Sequence, residues 1–187
     1  MKLYRILLPL AAVAAALFVS AFMPAPVPSP TAPEAEVEWL SIEEALERHK
    51  EEPRKLFIDV YTDWCGWCKK MDKTTFSHPQ VAEYLNENYY AVKFDAERRE
   101  DLTFRGDTFT YVAQGRRGYH QFAAALLQNK LSYPTVVFMD ENLNLIQPIP
   151  GYMTAKQFDP ILKFIGGDHY KTTPWPEFSE SYQSPIE

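Results

Sequence analysis

The chain reads as a single α/β domain with a central mixed sheet flanked by helices. Three observations predict it. The patterns run helix, strand, helix, helix, strand, an insertion with a helix, strand, strand, helix. The segment Lys55–Tyr61 is a near-continuous apolar run with β-branched and aromatic members, the composition of a strand buried in mid-sheet. Late in the chain, Asp140-Glu141-Asn142 separates two apolar runs, a signal for an antiparallel hairpin.

Taken in order, the elements have local reasons. Ser41 caps a first helix, Glu44 returns the bond three residues on, and Leu40 packs on Ala45 as a staple; Pro53 ends it. In the strand Lys55–Tyr61, Asp59 is the anomalous residue. From Cys65 the chain reads as helix through about Asp72, with Met71 on the apolar side. Pro79 suits the first turn of another helix, which runs to about Asn88 and leads into the strand Tyr89–Phe94. Within the insertion, Gly118–Leu127 reads as an amphipathic or buried helix. A turn at Leu131–Pro134 enters a strand ending at Met139, and Leu143–Ile146 is its hairpin partner. Thr154, with Gln157 three on, opens a last helix through Phe164 that Gly166-Gly167 stops, with Pro160 inside it to shorten or bend it. The proline- and serine-rich tail 172–187 is expected to be loosely held.

The two ends bound the domain. Lys2 and Arg5 precede a mostly apolar run from Ile6 to Phe22 that contains Val19-Ser20-Ala21. Residues 1–21 therefore read as a secretory signal peptide cleaved after Ala21, or as an uncleaved membrane anchor, because the run is long for a signal core. Either way the domain is exported, as a soluble protein or anchored by its N-terminus. Residues 22–37 form a proline-rich linker, extended and unable to build a core. About 150 residues remain, enough for one domain. The net charge is −6; without Lys2 and Arg5, 17 of the 19 basic residues face 25 acids. That balance argues against nucleic acid as a partner. No glycine-rich phosphate loop and no paired metal-ligand cluster is present.

The chemistry sits in Trp64-Cys65-Gly66-Trp67-Cys68-Lys69, which holds both cysteines of the chain. Two residues between the thiols let the sulfurs meet across the first turn of a helix. So short a loop is a poor structural staple, since closing it removes little unfolded-chain entropy. A helix N-terminus also favours the thiolate, the form that attacks disulfides. Redox exchange is thus the leading reading. Covalent haem attachment is excluded because Lys69, not histidine, follows Cys68.

These residues resemble the thioredoxin superfamily, and within it the exported bacterial thiol:disulfide oxidoreductases. The resemblance spans about Leu56–Gly167. The segment from Trp64 to Lys69 is similar to the family's active-site motif. Asp59, six residues before Cys65, stands where thioredoxins place a buried acid. Tyr133-Pro134-Thr135, ahead of an apolar strand, resembles the cis-proline loop, and Gly151 resembles the glycine before the last helix.

The resemblance implies a thioredoxin-like fold over residues 38–171, with an insertion before the cis-proline loop at about 96–130. It implies that Cys65, exposed at the helix start, is the nucleophile and that Cys68 resolves the mixed disulfide, the pair closing as a redox-active disulfide. Asp59 would accept the Cys68 proton. A cis bond at Pro134 would leave the Tyr133 backbone free to pair with an extended substrate, with Trp64 and Trp67 as flanking apolar surface. The implied partners are protein thiols and disulfides and a membrane electron donor; no cofactor and no metal are implied. Reduction of protein disulfides in the periplasm is the favoured direction. Trp67 replaces the proline common between the cysteines of thioredoxins, which leaves the potential open.

The insertion departs from the family. Its basic and aromatic first part, with Arg98-Arg99, Phe104, Phe109, Tyr111 and Arg116-Arg117, reads either as a partner-docking flap or as a surface insertion packed on its own aromatics. Two other functions stay open. One is a soft-metal carrier for copper or zinc, using both thiols with His78 or His120 as third ligand. The other is a redox-inert thioredoxin-like binding module.

Overall fold

A computed structural model describes residues 35–187. The signal peptide or anchor assigned to 1–21, and the linker up to residue 34, lie outside the described residues. Among those described, no helix is long and apolar enough to cross a membrane.

The central sheet has four strands in the order β2-β1-β7-β8. Strand β1 (Lys55–Tyr61) pairs parallel with β2 (Tyr89–Asp95) and antiparallel with β7 (Thr135–Met139), which forms the hairpin with β8 (Leu145–Pro150). The sheet is therefore mixed and covered by helices, a thioredoxin-like fold. Because side chains alternate along a strand, β1 feeds two cores. Leu56, Ile58 and Val60 pack with Ile42 and Ala45 of α1 (Ile42–Glu51) and with Phe122 of α4 (Gln121–Leu126). Phe57 faces the other way, against Met71 of α2 (Gly66–Met71), Val81 and Leu85 of α3 (Pro79–Asn88), and Phe158 and Leu162 of α5 (Ala155–Gly166). The same alternation puts Asp59 on the face of Phe57, the α2 side of the sheet.

Both capping boxes form. The Glu44 N–H donates to Ser41 Oγ at 3.1 Å, and the Ser41 N–H to Glu44 Oε2 at 2.8 Å; Thr154 and Gln157 do the same at the start of α5. Leu40 joins the first core and also bridges β2, its N–H donating to the Ala91 carbonyl at 2.8 Å. The junction of linker and domain is held by Asn86, whose amide donates to the Glu36 carbonyl at 2.8 Å and accepts from the Glu38 N–H at 2.8 Å.

Several expectations change. The chain after Met71 does not stop but widens into a π-helical turn, Asp72–Phe76. Pro160 does not cut α5 short: the helix runs to Gly166 although a proline there removes one ladder bond. Strand β8 starts at Leu145; Leu143 is drawn into the turn at φ 60°, where Asp140 Oδ1 accepts from the N–H groups of Asn142 and Asn144 at 2.8 Å each. The tail is not loose. It carries α6 (Trp175–Ser181), buries Phe178 and Ile186, and donates the Tyr182 hydroxyl to Asp159 Oδ2 at 2.8 Å.

The insertion is mostly β. Strands β3 (Leu102–Phe104) and β4 (Asp107–Phe109) form one hairpin, and β5 (Tyr111–Gln114) and β6 (Arg117–His120) another. The helix expected from Gly118 begins only at Gln121. Strand pairing claims Gly118–His120, and buried His120 caps the helix, its Nδ1 accepting the Phe122 N–H at 3.2 Å. Phe94, Phe104 and Phe109 all lie on Phe122, with ring centres 5.3, 5.0 and 5.4 Å away. The insertion thus packs on its own aromatics and on the sheet.

Candidate functional site

Cys65 and Cys68 are joined as a disulfide, their Cα atoms 5.3 Å apart. Cys65 is the N-cap of α2, and the Cys68 N–H donates to its sulfur at 3.1 Å. An N-cap sulfur therefore receives the orphan N–H that such positions offer. The expectation of an exposed Cys65 is corrected in this oxidised state: Cys65 is 5 % exposed and Cys68 2 %.

The flanking tryptophans are half-open, Trp64 at 50 % and Trp67 at 57 % exposure. The Trp64 indole N–H donates to Glu97 Oε1 at 3.0 Å, and its ring meets Tyr133 edge-on at 6.0 Å. Arg117, from β6, lies over its face at 4.2 Å. Trp67 lies against Tyr152 at 5.3 Å, and Lys70 is 4.8 Å from both rings. The Tyr133–Pro134 bond is cis. The Pro134 carbonyl accepts from the Gly151 N–H at 2.8 Å. Gly151 has φ 102°, a conformation open to glycine and strained for other residues, so this link between the loop and the end of β8 depends on it.

Asp59 is 1 % exposed. Burial pushes its carboxyl up to about 6, against the opposing pull of Lys93. The Lys93 ammonium donates to Asp59 Oδ2 at 2.7 Å and also to Asp72, at the first residue of the π-helical turn. Three rings surround that ammonium, Trp39 at 4.8 Å, Tyr61 at 5.1 Å and Phe76 at 5.5 Å. Asp59 Oδ1 has no hydrogen-bond partner. A buried acid with one free oxygen and a raised pKa is equipped to take up a proton near neutral pH.

The structure thus links Trp64 with Tyr133, and places Trp67 on the same helix as Cys68. It adds Lys93, Asp72, Glu97 and Tyr152, which the sequence did not single out, and sets Arg117, from the basic and aromatic insertion, over Trp64. Lys93 left a signal: it is the charged residue inside the apolar run Tyr89–Phe94. For the metal-carrier alternative, His120 is a poor third ligand. Its Nδ1 accepts a backbone N–H, so the hydrogen rests on Nε2, which faces the Glu100 carbonyl at 3.2 Å. His78 sits at the N-cap of α3.

Comparison with known proteins agrees with this geometry. A family model of thioredoxin-like domains matches residues 42–166. An uncharacterized protein of Caenorhabditis elegans is 31 % identical over 77 residues, covering 41 % of this chain and 11 % of its own length. The thiol:disulfide interchange protein DsbD of Haemophilus ducreyi is 32 % identical over 109 residues, covering 56 % of this chain and 15 % of its own. The chain therefore spans only a small part of these relatives. In fold, a thioredoxin from Thermus thermophilus superposes with a TM-score of 0.53 at 18 % identity, covering 72 % of this chain and 93 % of that one.

Proposed function

The chain belongs to the family of thioredoxin-like domains, and we propose that it is an exported enzyme that reduces protein disulfides with the Cys65–Cys68 dithiol. The observation that carries this reading is the Cys65 sulfur at a helix N-cap, accepting the Cys68 N–H at 3.1 Å. In the reduced protein the same N–H and the helix dipole favour a Cys65 thiolate.

That thiolate attacks one sulfur of a substrate disulfide. A bond forms from Cys65 Sγ to that sulfur, the substrate S–S bond breaks, and the other substrate sulfur leaves as a thiolate that takes a proton. The Cys68 thiol then gives its proton to Asp59, and the Cys68 thiolate attacks Cys65 Sγ. The mixed disulfide breaks, the second substrate thiolate departs, and the Cys65–Cys68 bond closes. Two electrons have passed from the dithiol to the substrate. Tyr133 and cis-Pro134 offer main-chain groups to an extended substrate segment, beside the apolar surfaces of Trp64 and Trp67.

Export rests on Lys2, Arg5 and the apolar run from Ile6. The periplasm is the favoured compartment, and a reductant working in so oxidising a place needs resetting, which a membrane electron donor would supply. Disulfide reduction by the full chain tests the reading. Cys65→Ser is expected to abolish turnover, and Cys68→Ser to accumulate substrate as a mixed disulfide; full activity in Cys65→Ser would overturn the mechanism. The potential of the pair tests direction. A value near or below about −270 mV fits a reductant, and one near about −120 mV would make the protein a disulfide donor instead.

A further inference from the structure

Each exposed tryptophan at the disulfide carries a cation on its ring. The Arg117 guanidinium stands 4.2 Å from the centre of Trp64, and the Lys70 ammonium 4.8 Å from that of Trp67. In a chain of net charge −6 these groups run against the overall sign. They also differ from cations such as Arg48, Lys55 and Arg98, which are neutralised by Glu38, by Glu141 with Asp168, and by Glu43. Among the described residues, neither Arg117 nor Lys70 forms an ion pair. Glu97 also lies here, with its carboxylate engaged by the Trp64 indole.

Arg117 is delivered by a braced arm. The β5–β6 hairpin closes through a two-residue turn with Gly115 at φ 61°, and its register sets Arg117 opposite Gln114. The Tyr111 ring crosses the strand over Gly118, where an added Cβ would meet the Tyr111 hydroxyl at 2.3 Å; Arg99 covers that ring from 4.6 Å. At the base of the arm, the His120 N–H donates to the Ala96 carbonyl at 2.6 Å and the Gln121 N–H to the Thr110 carbonyl at 2.9 Å. Trp64 in turn touches Tyr133, the residue offered for backbone pairing.

We propose that Arg117 and Lys70 form a specificity-determining pair that selects protein substrates with acidic side chains flanking the attacked cysteine. The proposal rests on the exchange reading above and names the substrate class of that site. A segment lying along Tyr133 meets Arg117 on Trp64, and a segment passing Trp67 meets Lys70. Neither cation must leave a carboxylate to receive a new one. The Arg117 guanidinium lies over Trp64 and the Lys70 ammonium lies near Trp67 and Tyr152, each held by an aromatic face rather than by a carboxylate.

Three disulfide-bonded peptides of equal length test it, with the cysteine flanked by Asp, Ser or Lys. For the full chain at low salt, kcat/KM is expected to fall in the order Asp, Ser, Lys, by up to about fivefold for each exposed charge pair. Raising salt should compress the series. Arg117→Gln together with Lys70→Gln should bring the Asp-to-Lys ratio close to one, and Arg117→Glu should reverse the preference. Turnover of all three peptides at equal kcat/KM, or an unchanged ratio in the double variant, would overturn the selection alone. No turnover of any peptide, with no mixed disulfide in Cys68→Ser, would overturn the exchange reading and the selection together.

Discussion

Asp59→Asn exposes what the buried carboxylate does to the fold. In the native oxidised protein Asp59 is 1 % exposed and its carboxyl is pushed up to about 6 by burial, from an ordinary value of 3.8. Between those values the native state holds a proton that the unfolded chain has lost, so stability falls as pH rises through this window. The contribution is fully present below the unfolded value near 4 and gone above the native value near 6. A displacement of about two units, at about 1.4 kcal/mol each, makes the loss ~3 kcal/mol. The substituted asparagine cannot ionise and carries no such loss. Its own offset, from a weaker bond to Lys93, stays nearly constant because burial, which disfavours the charged form of Lys93, is still opposed by its pairing with Asp72. The stability of Asp59→Asn relative to wild type should therefore rise by ~3 kcal/mol between pH 3 and pH 8, most of it between pH 4 and 6. Urea unfolding of both oxidised proteins across this range measures it. A difference that stays flat, or that falls with pH, would refute the reasoning and remove Asp59 as a proton acceptor tuned by burial.

Two further outcomes test the frame that holds the site. Phe122→Ala removes the ring on which Phe94, Phe104 and Phe109 converge and should cost ~3–5 kcal/mol in urea unfolding; a loss under ~1 kcal/mol would mean the insertion does not depend on this cluster. Ser41→Ala deletes the acceptor for the Glu44 N–H and should cost about 1 kcal/mol, read as a lower urea midpoint with an unchanged slope.

The parts of the fold that the sequence makes legible are those with local causes. Ser41 and Glu44 announce a helix start, as do Thr154 and Gln157, and Pro79 opens α3 as its fixed φ allows. Gly118–Leu127 misleads because its alanines and leucines favour a helix, whereas pairing with Val112 and Tyr111 claims Tyr119 and His120 for a strand. Tertiary pairing outweighs a propensity of tenths of a kcal/mol per residue. The tail misleads for a similar reason: its prolines and serines predict looseness, but Phe178 packs on Phe164 of α5 and Ile186 joins the second core.

The site divides along the same line. Asp59 and Lys93 are each conspicuous as a charge within an apolar strand, and the parallel register of β1 on β2 sets them opposite one another. Once two buried strands are taken as neighbours, an acid in one and a base in the other require each other, because an unpaired buried charge costs more than the pair. Only the register is needed to see this. Arg117 leaves a less specific trace. It is one of several arginines in a basic and aromatic stretch that reads equally as a docking flap or as self-packing, and its place on Trp64 follows from how two hairpins and the Phe122 cluster orient one strand. A buried charge thus betrays its partner through the energy of leaving it alone, whereas an exposed charge pays no such penalty and is positioned only by the finished fold. The buried acid and its partner base can be read from the chain; which of several arginines lies over Trp64 follows only from the structure.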